Sequence, residues 1–191
     1  MTPGKILIAA ALKKEVKLLQ RSLPDHSSWA VTGLGTDRTL ASLEKTLNES
    51  TPDLLIFTGC AGQLDPQLKM GEVVVPAAWR LESGTRFDVD PTLMGRVTSA
   101  RLKTIDLGLT VHVPIVRSGA RLHQYEETGA AICDMESAAA LMVAAACGVP
   151  CFSAKVISDT SETGMMGFYR EFEGNMAKLA DRLAALIEAF R

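Results

Sequence analysis

Acidic side chains stand at two points of the chain where acid–base chemistry is possible. Glu136 lies within Cys133-Asp134-Met135-Glu136-Ser137-Ala138, at the start of a predicted helix, and Asp159 follows an apolar segment that predicts a buried strand. Open α/β sheets bind their ligands at the carboxyl ends of the strands. A carboxylate there can stabilise positive charge and a carboxylic acid can deliver a proton. Two acids so placed suggest chemistry on a sugar and a base.

A third acid, Glu15, follows the first predicted strand and therefore belongs to the same edge of the sheet. Each acid also has a purely structural interpretation. Glu15 and Glu136 stand near helix starts, where the helix dipole favours negative charge, and Asp159 is a possible helix cap. The joint position of all three residues favours a site.

The segment Gly59-Cys60-Ala61-Gly62 comes directly after the predicted central strand Leu54–Thr58. Glycine at the carboxyl edge of a sheet lets backbone N–H groups approach a ligand oxygen, because no Cβ stands in the way. A tight turn without any ligand explains the same residues equally well.

Strand-like apolar runs alternate with helix-like segments, an order that predicts an α/β fold with a central mixed, mostly parallel β-sheet flanked by helices. The predicted strands are Lys5–Ala11, Trp29–Thr32, Leu54–Thr58, Gly71–Val75, Leu109–Val116 and Val149–Ile157. The predicted helices are Leu12–Arg21, one capped by Thr36 or Asp37 and running to about Asn48, Glu136–Cys147, and one after Phe168. Pro91 is a possible start of a further helix.

The composition is that of an ordinary globular domain. The chain has 191 residues, 47% of them hydrophobic, and no linker or repeat divides it, so residues 1–191 are expected to form one domain. With 20 basic and 22 acidic residues there is no reason to expect a nucleic-acid partner. The stretch Lys5–Leu12 resembles a secretory signal but continues into a predicted helix, and no run of about 18 apolar residues predicts a membrane span.

Four cysteines, Cys60, Cys133, Cys147 and Cys151, lack the Cys-x-x-Cys spacing of a metal site or a disulfide framework. Reduced thiols and a cytoplasmic location are expected. The three histidines form no metal-binding motif, so neither a metal nor a cofactor is expected.

Five segments, in chain order, resemble motifs of the purine nucleoside phosphorylase and nucleosidase superfamily. They are Ala10–Val16, Thr58–Leu64, Leu68–Val75, Asp134–Ala138 and Ile157–Asp159. The resemblance is strongest to the methylthioadenosine/S-adenosylhomocysteine nucleosidases. The Asp-Met-Glu-Ser form of residues 134–137 is also similar to the hopanoid-associated phosphorylase-like proteins.

The resemblance implies the same α/β fold and a role for each acid in cleaving an N-glycosidic bond. It assigns Glu15 to activating water, Glu136 to holding ribose hydroxyls with Met135 packed near the sugar, and Asp159 to protonating purine N7. Further substrate-binding positions are Cys60, Ala61, Gly62, Lys155, Ser158 and Leu122, the last standing roughly where the family has an aromatic residue.

Three departures from the family pattern concern the substrate. Cys60 replaces a serine, Lys155 replaces an arginine, and the span 81–129 is shorter than in the usual nucleosidase. Arginine and lysine are not interchangeable where a bidentate contact is needed. Because the span 81–129 is shorter, the 5′ end of the site is expected to be more open than in the usual nucleosidase.

The resulting prediction is a homodimeric nucleosidase that hydrolyses a purine nucleoside, with 5′-modified adenosine as the expected substrate. One alternative is a phosphorylase, in which phosphate replaces water. Glu15 would repel this anion by about 4 kcal/mol per pair of unit charges at 4 Å, unless Lys13, Lys14 or Arg38 offset the repulsion. The other alternative is a protein that binds purine nucleosides without cleaving them.

Overall fold

The computed structural model describes residues 4–23 and 27–190. The strands are β1 (Ile6–Ala10), β2 (Ser27–Val31), β3 (Leu54–Gln63), β4 (Val73–Leu81), β5 (Arg86–Asp88), β6 (Lys103–Thr110), β7 (Ile132–Asp134) and β8 (Cys151–Asp159). The helices are α1 (Lys13–Gln20), α2 (Thr36–Ser50), α3 (Pro91–Ser99), α4 (Ser118–Thr128), α5 (Ser137–Ala146) and α6 (Gly164–Phe190).

The strands form one mixed sheet in which five pairings are parallel and three are antiparallel. The predicted fold class is confirmed. Within this sheet, β3, β8, β4, β6 and β7 are paired in a closed ring, because β7 also pairs with β3. The ring brings the ends of β3, β6, β7 and β8 together: Gly62 is paired with Cys133 and Asp159, and Thr110 with Asp134.

Helices cover the sheet and complete the core. The final helix α6 packs on β8 through a buried apolar stripe, which comprises Met176, Leu179, Ala180, Leu183, Leu186, Ile187 and Phe190. The alanine-rich helix α5 packs against α2 and β8 with seven of its ten residues buried. No helix within residues 4–23 and 27–190 has the length and apolar character to cross a bilayer.

Several predicted boundaries were wrong. Strand β3 does not end at Gly59 but continues to Gln63, because β8 pairs with it as far as Gly62. Strand β4 runs through Pro76, which lies between the segments of β4 that pair with β8 and β5. The strand predicted at Leu109–Val116 is instead β6, which begins six residues earlier and ends at Thr110. The cap of α2 is Gly35, not Thr36 or Asp37.

Candidate active site

A cavity of about 400 Å³ opens where the strand ends of the ring meet. Glu15, Glu136 and Asp159 all line it, although they are far apart in the sequence. Of the other predicted site residues, those that also line it are Met135, Cys60, Ala61, Gly62, Ser158 and Lys155. A cavity of this size holds a small organic ligand.

Glu15 lies in the first turn of α1 and is only 4% exposed. Its Oε2 accepts a hydrogen bond from the N–H of Leu12 (2.9 Å), and its Oε1 accepts one from the N–H of Cys60 (3.1 Å). Burial raises the pKa of Glu15, and the charge of Lys155 together with these hydrogen bonds opposes that rise. The carboxylate is therefore fixed in position and more basic than an exposed glutamate.

Gly59 allows Glu15 to lie against the backbone of β3. Its φ is +127°, a conformation that favours glycine, and a Cβ at this position would stand 2.7 Å from Oε1 of Glu15. The glycine predicted to make room for a ligand instead makes room for the carboxylate.

Glu136 is the N-cap residue of α5 and is buried. Its Oε1 accepts a hydrogen bond from the N–H of Gly35 (2.8 Å), which joins it to the start of α2. Burial, and then the negative charge of Asp134, raise the pKa of Glu136 to about 7, while Lys155 opposes the rise. Glu136 therefore changes its charge near neutral pH.

Asp134, which ends β7, organises the start of α5 and was not assigned a role from sequence. Its carboxylate accepts hydrogen bonds from the N–H of Ser137 and from the hydroxyl of Thr110 (2.9 Å). It also forms an ion pair with Lys155, whose Nζ is 3.0 Å from Oδ2 of Asp134. Both side chains are 2% exposed. Lys155 stands where the family has an arginine. It makes one short contact with a neighbouring carboxylate, that of Asp134.

Asp159, the last residue of β8, forms a buried ion pair with Arg121 of α4. The guanidinium also donates from Nη1 to the carbonyl of Gln63 (3.1 Å), and the hydroxyl of Ser158 donates to Oδ1 of Asp159 (2.8 Å). Arg121 is 2% exposed and lines the cavity, although no role was predicted for it.

The neighbouring Leu122, predicted to bind substrate, lies outside the cavity. This side chain is 45% exposed and does not line the cavity, because α4 turns Arg121 inward in its place. The shortened middle of the chain supplies other apolar groups to the cavity wall, namely Val111, Pro114 and Ile115. Leu34, Phe168 and Tyr169 add a further apolar part, with Leu34 and Tyr169 more than half exposed.

Cys60 supplies its backbone N–H to Glu15, as described above, and its thiol lies against helix α6. The Sγ atom is 3.9 Å from the sulfur of Met176. Burial raises the pKa of the Cys60 thiol well above its ordinary value, and the charge of Glu15 adds to this effect. Cys60 is therefore a neutral thiol and not a nucleophile.

A family model for the phosphorylase superfamily matches residues 25–190, most of the chain. The chain belongs to the phosphorylase superfamily. One curated relative of the chain is an aminodeoxyfutalosine nucleosidase from Campylobacter jejuni. It is 23% identical, and the alignment covers 92% of this chain and 94% of the relative.

Solved structures share the fold of this superfamily member over almost its whole length. The 5′-methylthioadenosine/S-adenosylhomocysteine nucleosidase from Helicobacter pylori, with butyl-thio-DADMe-Immucillin-A, has a TM-score of 0.87 at 17% identity and covers 96% of this chain and 97% of its own. The futalosine hydrolase of the same species has the same values. The nucleosidase from Neisseria meningitidis, in complex with methylthio-immucillin-A, also has a TM-score of 0.87 at 17% identity, covering 97% of this chain and 99% of its own.

Proposed function

We propose that this protein is a nucleosidase that hydrolyses the N-glycosidic bond of a purine nucleoside, with 5′-modified adenosine as the substrate. The observation that carries the proposal is the convergence of Glu15, Glu136 and Asp159 on one cavity at the strand ends. The relatives described above, which are nucleosidases by name, support the same reaction class.

Hydrolysis separates charge between the sugar and the base. As the bond between C1′ and N9 breaks, its electron pair goes to the purine and positive character develops on the sugar. Water attacks C1′ and gives a proton to Glu15, while the purine receives a proton at N7 from Asp159. The raised pKa of Glu15 suits it to accept this proton, and general base catalysis of this kind contributes about 10²–10⁴-fold.

Glu136 and Met135 form the sugar end of the proposed site. A charged Glu136 carboxylate accepts hydrogen bonds from ribose hydroxyls and favours the positive sugar of the transition state. Since its pKa is raised to about 7, this contribution becomes complete only above neutral pH.

The pair of Asp159 and Arg121 lies at the base end. The guanidinium stabilises the carboxylate that Asp159 becomes after it has given its proton to N7.

The charges in the cavity favour water over phosphate as the nucleophile. Among the described residues, the basic side chains that line the cavity are Arg121 and Lys155, and each is paired with an aspartate. Lys13, Lys14 and Arg38 do not line it. A phosphate dianion beside Glu15 would meet repulsion of about 4 kcal/mol per pair of unit charges at 4 Å, without an unpaired cation to offset it.

The test is release of free adenine from 5′-substituted adenosines in phosphate-free buffer. The substrates should span methylthio, homocysteinyl and long apolar 5′ groups, because Leu34 and Tyr169 leave the cavity wall partly exposed. We expect a reducing sugar as the second product and no appreciable acceleration by phosphate. Strict dependence on phosphate, with a sugar 1-phosphate product, would assign phosphorolysis. Binding without cleavage across all substrates would assign a non-catalytic nucleoside-binding protein.

We further propose that residues 1–191 act as one domain in the cytoplasm and assemble as a homodimer. The apolar face of α2 is used mainly within the chain, because Leu43 and Leu47 are buried in the core and Leu40 is partly buried. Support for the dimer comes instead from exposed apolar residues. They are Val31, Leu34, Val113, Val116, Leu122, Met166 and Tyr169.

A further inference from the structure

A second cavity, of about 360 Å³, shares no lining residue with the candidate active site. We call it the basic cavity, because four of its eight lining residues are basic: Arg101, Lys103, Lys178 and Arg182. They come from three separate parts of the fold, namely the connection after α3, the start of β6, and α6. The fold thus gathers positive charge that is dispersed in the sequence.

The basic cavity has more basic than acidic side chains in its wall. Its one acidic residue, Glu72, pairs with Lys103, whose Nζ is 2.9 Å from Oε2. Burial would raise the pKa of Glu72, but the hydrogen bond from Lys103 is among the contacts that lower it, so Glu72 is ionised. Four basic and one acidic side chains leave a net charge of +3. Within residues 4–23 and 27–190, no carboxylate lies at ion-pair distance from Arg101, Lys178 or Arg182.

The residues around the basic cavity adopt an arrangement that is unfavourable without a ligand, both in the backbone and in the spacing of like charges. Arg101 has φ +59°, in the left-handed region that glycine normally occupies after a helix. Lys178 and Arg182 stand four residues apart on α6, a spacing at which like charges repel. Gly71 has φ +80°, and a Cβ there would overlap the Lys178 ammonium. The Lys178 ammonium thus lies against the backbone at Gly71.

We propose that the basic cavity binds a phosphate-bearing anion with two or more negative charges. An anion of this kind would relieve the repulsion among the cations and receive charge-assisted hydrogen bonds from lysine and arginine together. The volume is sufficient for a small ligand. Since neither Glu15 nor any other proposed catalytic residue lines this cavity, binding there leads to no phosphorolysis.

The probe for a soluble ligand is inorganic pyrophosphate, added to the full chain at constant ionic strength set with chloride. Isothermal titration calorimetry should show one site per chain, and the melting temperature should rise with pyrophosphate concentration. Lys178→Gln and Arg182→Gln should each weaken binding about tenfold, the effect of losing one charge-assisted contact. Lys45→Gln, which removes an exposed lysine from α2, is the matched control and should bind like the wild type.

Vesicles containing phosphatidylglycerol form the second arm, because a lipid headgroup offers the same phosphate chemistry. Binding of vesicles alone, lost in Lys178→Gln, would place the phosphate on a membrane surface. Binding of pyrophosphate would make it a soluble ligand. The proposal fails if neither probe binds, or if Lys178→Gln and Arg182→Gln bind as well as the wild type. Because no turnover is required, a failure of adenine release would leave this result intact.

Discussion

Glu15 combines a raised pKa with two fixed hydrogen bonds, and this combination makes its role directly testable. Glu15→Gln should abolish adenine release while leaving nucleoside binding within a few-fold of wild type. The amide keeps nearly the same shape but cannot accept the proton of water. Single-turnover kinetics and calorimetric binding would separate the two effects. Wild-type turnover in this variant would remove the assignment, and Glu44→Gln, at an exposed position of α2, controls for loss of an acid.

The two raised carboxyl pKa values also determine the pH dependence of turnover. Glu15 and Glu136 act in their charged forms in the proposed mechanism, so activity should decline as pH falls through about 7, the pKa of Glu136. Unperturbed glutamates would instead keep the enzyme active to about pH 4.3. A profile of kcat/KM between pH 4 and 9 checks this. Full activity at pH 5 would contradict the charged role of Glu136.

Glu136 should lower the stability of the fold above neutral pH. Its pKa of about 7 lies above the ordinary value, so between about pH 4.5 and 7 the folded chain binds more protons than the unfolded chain. Its contribution to the free energy of unfolding is therefore highest at low pH and declines as pH rises to about 7. From pH 5 to pH 8 the loss amounts to about 2 kcal/mol. Glu136→Gln should remove this loss, raising the free energy of unfolding at pH 8 much more than at pH 5, as urea titrations at both values would show.

At the scale of elements, the backbone of β3 is shaped around Glu15. Gly59→Ala would force an unfavourable φ and push a Cβ against Oε1 of Glu15, so we expect a loss of about 1–3 kcal/mol in the free energy of unfolding and a marked drop in turnover. Gly119→Ala in α4 is the matched control, because no heavy atom would lie within 4 Å of its Cβ and its φ is not positive. Equal turnover in the two variants would show that Gly59 does not position the carboxylate.

Elements with strong periodicity were predictable, and those without it were not. The stripe of α6 and the apolar runs of β1, β3 and β8 gave the correct element types because burial itself imposes the pattern. Strands β5 and β7 have only three residues each, too few to carry a period. Helix α4 buries Arg121 and no apolar residue, so it lacks an apolar stripe.

The same reason explains which part of the candidate site could be anticipated. The three acids belong to motifs shared with a known superfamily, and their positions at strand ends and helix starts were correct in outline. Arg121 belongs to a weakly patterned helix, and its place depends on the contact with Asp159 across 38 residues. Such a long-range contact leaves no local pattern in the sequence.

At the scale of the whole molecule, closure of the five-strand ring was not predictable, because it depends on the two-residue pairing between β3 and β7. The alternation of strands and helices indicates a mostly parallel sheet, but it does not indicate which two strands will pair to close the ring. That pairing aligns Gly62 with Cys133 and so joins two walls of the cavity.

The exposed apolar residues lead to a prediction about assembly. Val113 is 71% exposed and Met166 is 75% exposed, and an interface between two copies of the chain would bury such apolar side chains. Light scattering should give a mass twice that of the 20.5 kDa chain. Val113→Glu should shift the population toward the single chain, since an interface would have to bury the new charge. A single 20.5 kDa species for the wild type at micromolar concentration would contradict the dimer.

The four cysteines are free thiols, so their rates of alkylation can report local unfolding of the chain. Burial raises the pKa of Cys133 to about 12 and also raises that of Cys151, so in the folded chain both thiols are neutral and react slowly with alkylating reagents. Cys133 belongs to the ring beside the cavity, whereas Cys151 begins β8 in the interior of the sheet. The alkylation rates of the two thiols therefore measure separately how often the ligand end and the sheet interior become accessible, without any label added to the chain.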